Sequence, residues 1–171
     1  INDLDIVEVG DKQVDYLMEK YKSENVNTYK AYFEDFKSNK KYDLIFSATA
    51  FHWVDATVGY PKVWDMLNDS GVLAVFWHMS SVTLHDTGIF VGLNEIKKKY
   101  LPEESLGFDK EGIEGVRQKR ISQIQSGNYF GIPVIKEYRW IDTYDADRYS
   151  LLLESYSSTQ TLDEEHKKLY L

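Results

Sequence analysis

Residues 42–47, Tyr42-Asp43-Leu44-Ile45-Phe46-Ser47, form the stretch of sequence that decides the predicted fold. Apolar side chains fill nearly all of this stretch instead of alternate positions only. Such a run is typical of a strand that is buried on both faces, as the strands of parallel sheets are. The stretch therefore predicts a parallel sheet covered by helices on both sides, and we expect an α/β fold.

The segments on either side of this strand alternate between strand and helix patterns. We predict strands at Leu4–Val9, Asn25–Tyr32 and Gly71–Trp77, and helices at Val14–Tyr21 (with Asp11 as its N-cap) and Thr57–Leu67. In the first helix, apolar residues recur at the three- and four-residue spacing of an amphipathic helix. This alternation implies parallel strands with helices on both faces, so we expect a Rossmann-like, doubly wound, mostly parallel sheet.

The second half of the chain has mainly helical patterns. We predict helices at Thr87–Tyr100, Lys110–Ser126 and Asp145–Ser157, a further helix that begins at Asp163, and one strand at Pro133–Ile141. We therefore expect residues 1–80 to form a cofactor-binding region and residues 81–171 a helical cap with one sheet strand, together one structural domain.

Composition excludes several classes of function. Lys and Arg number 20 against 28 Asp and Glu, a net charge of −8, so we expect no nucleic-acid partner. No apolar run approaches the roughly 18 residues of a membrane helix, so we expect no membrane partner. The chain has no cysteine, and its four histidines lack metal-ligand spacing, so we expect no metal and a cytoplasmic location.

In a doubly wound sheet, ligands bind beyond the carboxyl ends of the strands. Glu8 ends the first predicted strand, and a carboxylate there can accept both hydroxyls of a ribose. Phe33 and Glu34 follow the second strand, where a backbone N–H and an acidic side chain can contact an adenine edge. The alternative for Glu8 is a solvated carboxylate before a turn. The alternative for Phe33 and Glu34 is a surface loop with its aromatic residue in the core.

Further candidate site residues lie at the end of the strand at residues 42–47 and directly after it. Ser47 and Ala48 are small enough for a ligand to approach the backbone, and a bulky aromatic, an imidazole and an indole follow at Phe51-His52-Trp53. Histidine is the side chain best suited to proton transfer near neutral pH. The alternative is that His52 and Trp53 plug the top of the sheet.

The order of these motifs resembles that of the class I S-adenosylmethionine-dependent methyltransferases, most closely the small-molecule type 11 group. The most specific match is Tyr42–Trp53, which is similar to the family's fourth-strand motif that leads into the methyl-transfer site. The other matching segments are Ile6–Asp11, Phe33–Phe36, Leu67–Leu73, and Tyr149–Tyr156 followed by Leu162–Glu165.

The resemblance implies methyl transfer from S-adenosylmethionine to a small-molecule acceptor, with S-adenosylhomocysteine as the second product. It assigns the cofactor to Glu8, Val9, Phe33, Glu34, Ser47 and Ala48. It assigns the acceptor side to Phe51, Trp53, Tyr149 and Tyr156, with His52 as the candidate base.

The sequence also departs from the family. The family's glycine-rich loop is expected before Ile1 and its closing hairpin after Leu171, so we expect a fragment of a longer enzyme. In the family's glycine turn, Asp69 and Ser70 replace Pro and the first Gly. Three alternatives stay open: a non-catalytic fragment, a cofactor-binding scaffold, and a NAD-dependent Rossmann oxidoreductase. Oligomeric state is open as well, with a homodimer as one option.

Overall fold

The computed structural model describes residues 3–22, 25–78, 88–101 and 107–171. The chain forms two compact units. The first contains Ile1–His78 and Ser122–Pro133, and the second contains Met79–Ile121 and Val134–Leu171.

Parallel strand pairs form the frame of the first unit. Its strands are β1 (Leu4–Glu8), β2 (Val26–Lys30), β3 (Tyr42–Ala48) and β4 (Leu67–Phe76), and its helices are α1 (Asp11–Lys20) and α2 (Ala56–Met66). β1 pairs with β2, and β3 pairs with β4, both in parallel. Parallel pairs need a crossover connection, and the two helices lie where the sequence predicts them.

The structure is mixed α/β with parallel strands, which confirms the expected α/β class. Within the described residues, however, the strands form two separate two-stranded sheets and not one continuous sheet. Side chains join the two sheets at their amino ends, where the Tyr42 hydroxyl donates to Oδ2 of Asp5 at 2.6 Å. Lys40 forms ion pairs with Asp3 and Asp5 at 2.7 and 3.0 Å beside this bond.

The core of the first unit lies under α2. Phe51, Tyr60, Val63 and Leu67 form one buried cluster, in which Val63 has 0% of its surface exposed. Asp55 fixes the start of α2 because Oδ1 accepts hydrogen bonds from the Thr57 backbone N–H at 2.8 Å and from the Thr57 hydroxyl at 2.7 Å. These bonds lower the pKa of Asp55, since they stabilise its carboxylate.

Helices dominate the second unit, as predicted. They are α3 (Gly88–Tyr100), α4 (Gly107–Gln125, whose last turn belongs to the first unit), α5 (Ala146–Glu154), α6 (Ser157–Gln160) and α7 (Glu164–Tyr170). Asp145 and Asp163 cap α5 and α7 by accepting from the backbone N–H groups of Arg148 and His166. α4 is kinked at Gly112, whose φ of 66° lies outside the helical region. Of the helices in the described ranges, none has the length and apolar character needed to cross a membrane.

Two predictions of local structure are wrong. Residues 133–141 form no strand, because a strand needs a hydrogen-bonded partner and the strand pairs of the described residues are β1–β2 and β3–β4 alone. Its Val134 and Ile141 side chains are 87% and 93% exposed. Asp11 is the first residue of α1 and not its N-cap, a position that Gly10 occupies without a side-chain hydrogen bond.

Candidate functional site

The predicted cofactor residues of the first unit follow the carboxyl ends of its strands, beginning with Glu8 at the end of β1. Oε1 of Glu8 accepts hydrogen bonds from the backbone N–H groups of Val9 and Gly10, at 2.8 and 2.9 Å. These two bonds hold the half-buried carboxylate against the turn that leads into α1. The Val9 side chain is exposed.

The loop after β2 is fixed by Lys62 of α2. The Lys62 ammonium donates to the backbone oxygens of Glu34, at 2.8 Å, and of Phe36, and it lies 5.3 Å from the centre of the Phe33 ring. Burial lowers the pKa of Lys62, because the charged ammonium is less well solvated there. Oε1 of Glu34 accepts from the Asp55 backbone N–H at 3.1 Å, so the loop is tied to the start of α2 as well.

The loop after β3 begins in an unusual backbone conformation. Ser47 and Ala48 end the strand, and Thr49 follows with a φ of 49°. Its N–H donates to the Phe76 backbone oxygen at 2.9 Å, and its hydroxyl accepts from the His78 backbone N–H at 3.4 Å. A β-branched residue rarely adopts positive φ, and such strain is common at functional sites. The sequence has no signal for this conformation, since glycine is the residue expected there.

The 3-10 turn Phe51–Trp53 places its three side chains in different surroundings. Phe51 belongs to the core and is only 7% exposed, whereas Trp53 is 71% exposed. His52 is half-buried between two indoles: its ring centre lies 4.9 Å from that of Trp53, and its Nδ1 accepts from Nε1 of Trp77 at 3.2 Å. Trp77 directly follows β4, and the sequence predicts its position past a strand end but assigns it no role.

These contacts bring most of the predicted first-unit residues together. The β1–β2 register places Glu8 opposite Lys30, so the loops after both strands begin side by side. Phe33 and Phe51 join the loops after β2 and β3, with ring centres 6.1 Å apart. The His52–Trp77 bond joins the loops after β3 and β4. The result is a surface at the strand ends that carries the Glu8 and Glu34 carboxylates, several aromatic side chains and the His52 imidazole.

The two remaining predicted residues, Tyr149 and Tyr156, lie in the second unit. The Tyr149 ring packs edge-on against Tyr144, with centres 6.0 Å apart. Burial raises the pKa of both Tyr149 and Tyr156, and neighbouring tyrosines add to the shift at Tyr156. Tyr144, Tyr149 and Tyr156 therefore form a tyrosine cluster within the second unit.

No protein-family model matches this sequence, and no curated protein matches it either. Across the described ranges, no group of three or more His, Asp or Glu side chains is placed to hold a metal ion.

Proposed function

We propose that this protein binds S-adenosylmethionine and transfers its methyl group to a small-molecule acceptor. The observation that carries the proposal is the Glu8 carboxylate, which two backbone N–H groups hold at the carboxyl end of a parallel strand. Ligands of doubly wound proteins bind at this edge, and a carboxylate there suits the hydroxyls of a ribose. The proposal includes a continuous doubly wound sheet that joins the two strand pairs.

The residues around Glu8 fit the adenosine half of this cofactor. Hydroxyl groups donate hydrogen bonds and a carboxylate accepts them, so ribose and Glu8 are complementary. The half-buried Phe33 ring lies in the next loop, where it packs against the core cluster, and Lys62 holds that loop in place. Glu34 already accepts one bond from the Asp55 backbone, so we assign to it a positioning role beside the adenine.

Methyl transfer from a sulfonium requires little of the protein beyond orienting the donor and the acceptor. When bound, S-adenosylmethionine supplies a methyl group on a sulfonium sulfur, which becomes neutral S-adenosylhomocysteine after transfer. Ser47 and Ala48 leave room beside the backbone, and the exposed Trp53 indole can attract a sulfonium by a cation–π contact. Holding the reactants in line and excluding water can contribute about 7–11 kcal/mol in the most favourable cases.

The acceptor side of the proposed site contains His52, Trp53 and Phe51. A base is needed only when the acceptor must lose a proton, and His52 is the candidate in this loop. A cytoplasmic location and a small-molecule partner are part of the same proposal.

Calorimetric titration with S-adenosylhomocysteine tests the proposal. We expect saturable binding at one site, with a dissociation constant in the micromolar range. NADH titrated in parallel separates the methyltransferase from the oxidoreductase interpretation. Binding of NADH alone, or of neither ligand at millimolar concentration, would contradict the proposal for this chain.

A further inference from the structure

The Trp77–His52 hydrogen bond limits the chemistry that His52 can perform. The Trp77 indole is anchored because it packs against the core cluster of the first unit. From there its Nε1–H donates to Nδ1 of His52 at 3.2 Å. The face of Trp53 contacts the same imidazole, with 38° between the ring planes, so one indole fixes a ring atom and the other covers the ring.

The direction of this bond determines where the imidazole proton lies. An indole N–H only donates, so Nδ1 must offer a lone pair. A neutral imidazole has one N–H and one lone pair, which places the proton on Nε2. A protonated imidazole has no lone pair at Nδ1, and the indole N–H would then face another N–H. The bond therefore favours neutral His52 with its proton on Nε2.

We propose that Trp77 is a positioning residue that holds His52 as a hydrogen-bond donor, with its proton on Nε2, and not as a general base. This inference rests on the proposed function. It also narrows the class of acceptor: the methyl group goes to an atom that already carries an available electron pair at neutral pH. A carboxylate oxygen meets this condition, because it can accept the Nε2–H bond and needs no base before transfer.

NMR spectroscopy tests the tautomer without cofactor or acceptor. In ¹⁵N-labelled protein at a pH about two units above the ordinary histidine pKa, long-range ¹H–¹⁵N spectra distinguish a protonated from an unprotonated ring nitrogen. The His52→Gln variant identifies the His52 signals by their loss. We expect an unprotonated Nδ1 and a protonated Nε2 in the native protein. A protonated Nδ1 would overturn the proposal, and this measurement needs no Trp77 variant.

Two tryptophan variants then assign the cause. Trp77→Phe keeps an aromatic ring but removes the N–H, and we expect a mixture of both tautomers. Trp53→Phe is the matched control, since Trp53 contacts the same imidazole through its face. We expect it to leave the tautomer unchanged. An unaltered tautomer in a folded Trp77→Phe variant, or equal changes in both variants, would overturn the proposal.

Activity separates a donor from a base. Small carboxylic acids are screened as methyl acceptors, and His52→Gln is compared with His52→Ala on the first that reacts. Glutamine can donate but cannot take a proton, so we expect it to lose less than about tenfold in turnover, whereas loss of a base costs about a hundredfold or more. Equal losses in both variants, or transfer only to acceptors that must lose a proton, would overturn the donor role. Failure to bind S-adenosylhomocysteine would instead contradict the proposed function, and the NMR result would stand.

Discussion

The Tyr42 hydroxyl donates a 2.6 Å hydrogen bond to Oδ2 of Asp5, which joins the first residue of β3 to the second residue of β1. The two residues belong to different strand pairs. The Asp5 side chain is almost completely buried, and it also accepts from the Asn27 side chain at 2.8 Å. One buried carboxylate of β1 therefore links this strand to β2 and β3.

The Tyr42→Phe variant tests how much this bond stabilises the fold. We expect the free energy of unfolding to fall by about 1–3 kcal/mol, because a buried acceptor loses one of its donors. Urea unfolding measures the change. Tyr16→Phe is the matched control, because Tyr16 is exposed and its hydroxyl accepts a surface hydrogen bond from Lys20. Removal of that hydroxyl should change stability by less than about 0.5 kcal/mol. Equal effects of the two variants would contradict a structural role for the Tyr42–Asp5 bond.

Asp5 also predicts how stability depends on pH. Burial alone raises the pKa of Asp5, but hydrogen bonds from Tyr42, Asn27 and Lys40 outweigh it, and the pKa lies below its ordinary value. The unfolded chain then takes up its proton at higher pH than the folded chain does. The stabilisation is therefore complete above the unfolded pKa of about 3.9 and is lost as pH falls through the lower folded value.

Acid unfolding checks this sign. We expect Asp5→Asn to be less stable than the native protein at pH 7, and this difference to shrink as pH falls below about 4. Asp65→Asn, at an exposed position of α2, serves as the control. A stability difference for Asp5→Asn that stays constant down to pH 2 would contradict the linkage.

Short-range patterns in the sequence predict the helices and strands of the first unit well. The expected helix Thr57–Leu67 occurs as Ala56–Met66, because the Asp55 cap and the apolar spacing are both local. The arrangement of the strand pairs is not local: it depends on contacts such as Tyr42–Asp5, between residues far apart in the chain. The same limit applies to residues 133–141, whose composition suits a strand but whose hydrogen-bonding neighbour no local pattern can supply.

The candidate site divides in the same way. The places of Glu8 at the end of β1 and of His52 after β3 were predictable, because strand ends are visible in the sequence, and their roles stay predictions. The positions of Thr49 and Trp77 past strand ends were predictable as well, but the hydrogen bond that Trp77 makes across two loops and the backbone angle of Thr49 were not.

The Glu8→Gln variant tests the assigned ribose ligand. Glutamine keeps an oxygen that can accept from the Val9 and Gly10 N–H groups, so the turn should persist. A bond to a charged group contributes about 1.5–3 kcal/mol, so we expect the affinity for S-adenosylhomocysteine to fall by about tenfold to a hundredfold. Glu19→Gln, on the exposed side of α1, should bind as the native protein does. Unchanged affinity in Glu8→Gln would remove Glu8 from the cofactor site.

The exposed apolar side chains of residues 134–141 yield the last prediction. Val134 and Ile141 are 87% and 93% exposed, so their methyl groups contribute little burial to this fold. We expect Val134→Lys and Ile141→Lys to change the free energy of unfolding by less than about 0.5 kcal/mol, as surface substitutions usually do. Leu67→Ala, in the core cluster, should instead cost about 2–5 kcal/mol in the same urea experiment.

A loss above about 1 kcal/mol at position 134 or 141 would show that the segment packs against another part of the protein, because only a buried side chain carries a penalty of that size. Repeating the titration at several protein concentrations distinguishes contact with a second copy, since only that contact makes the unfolding midpoint concentration-dependent.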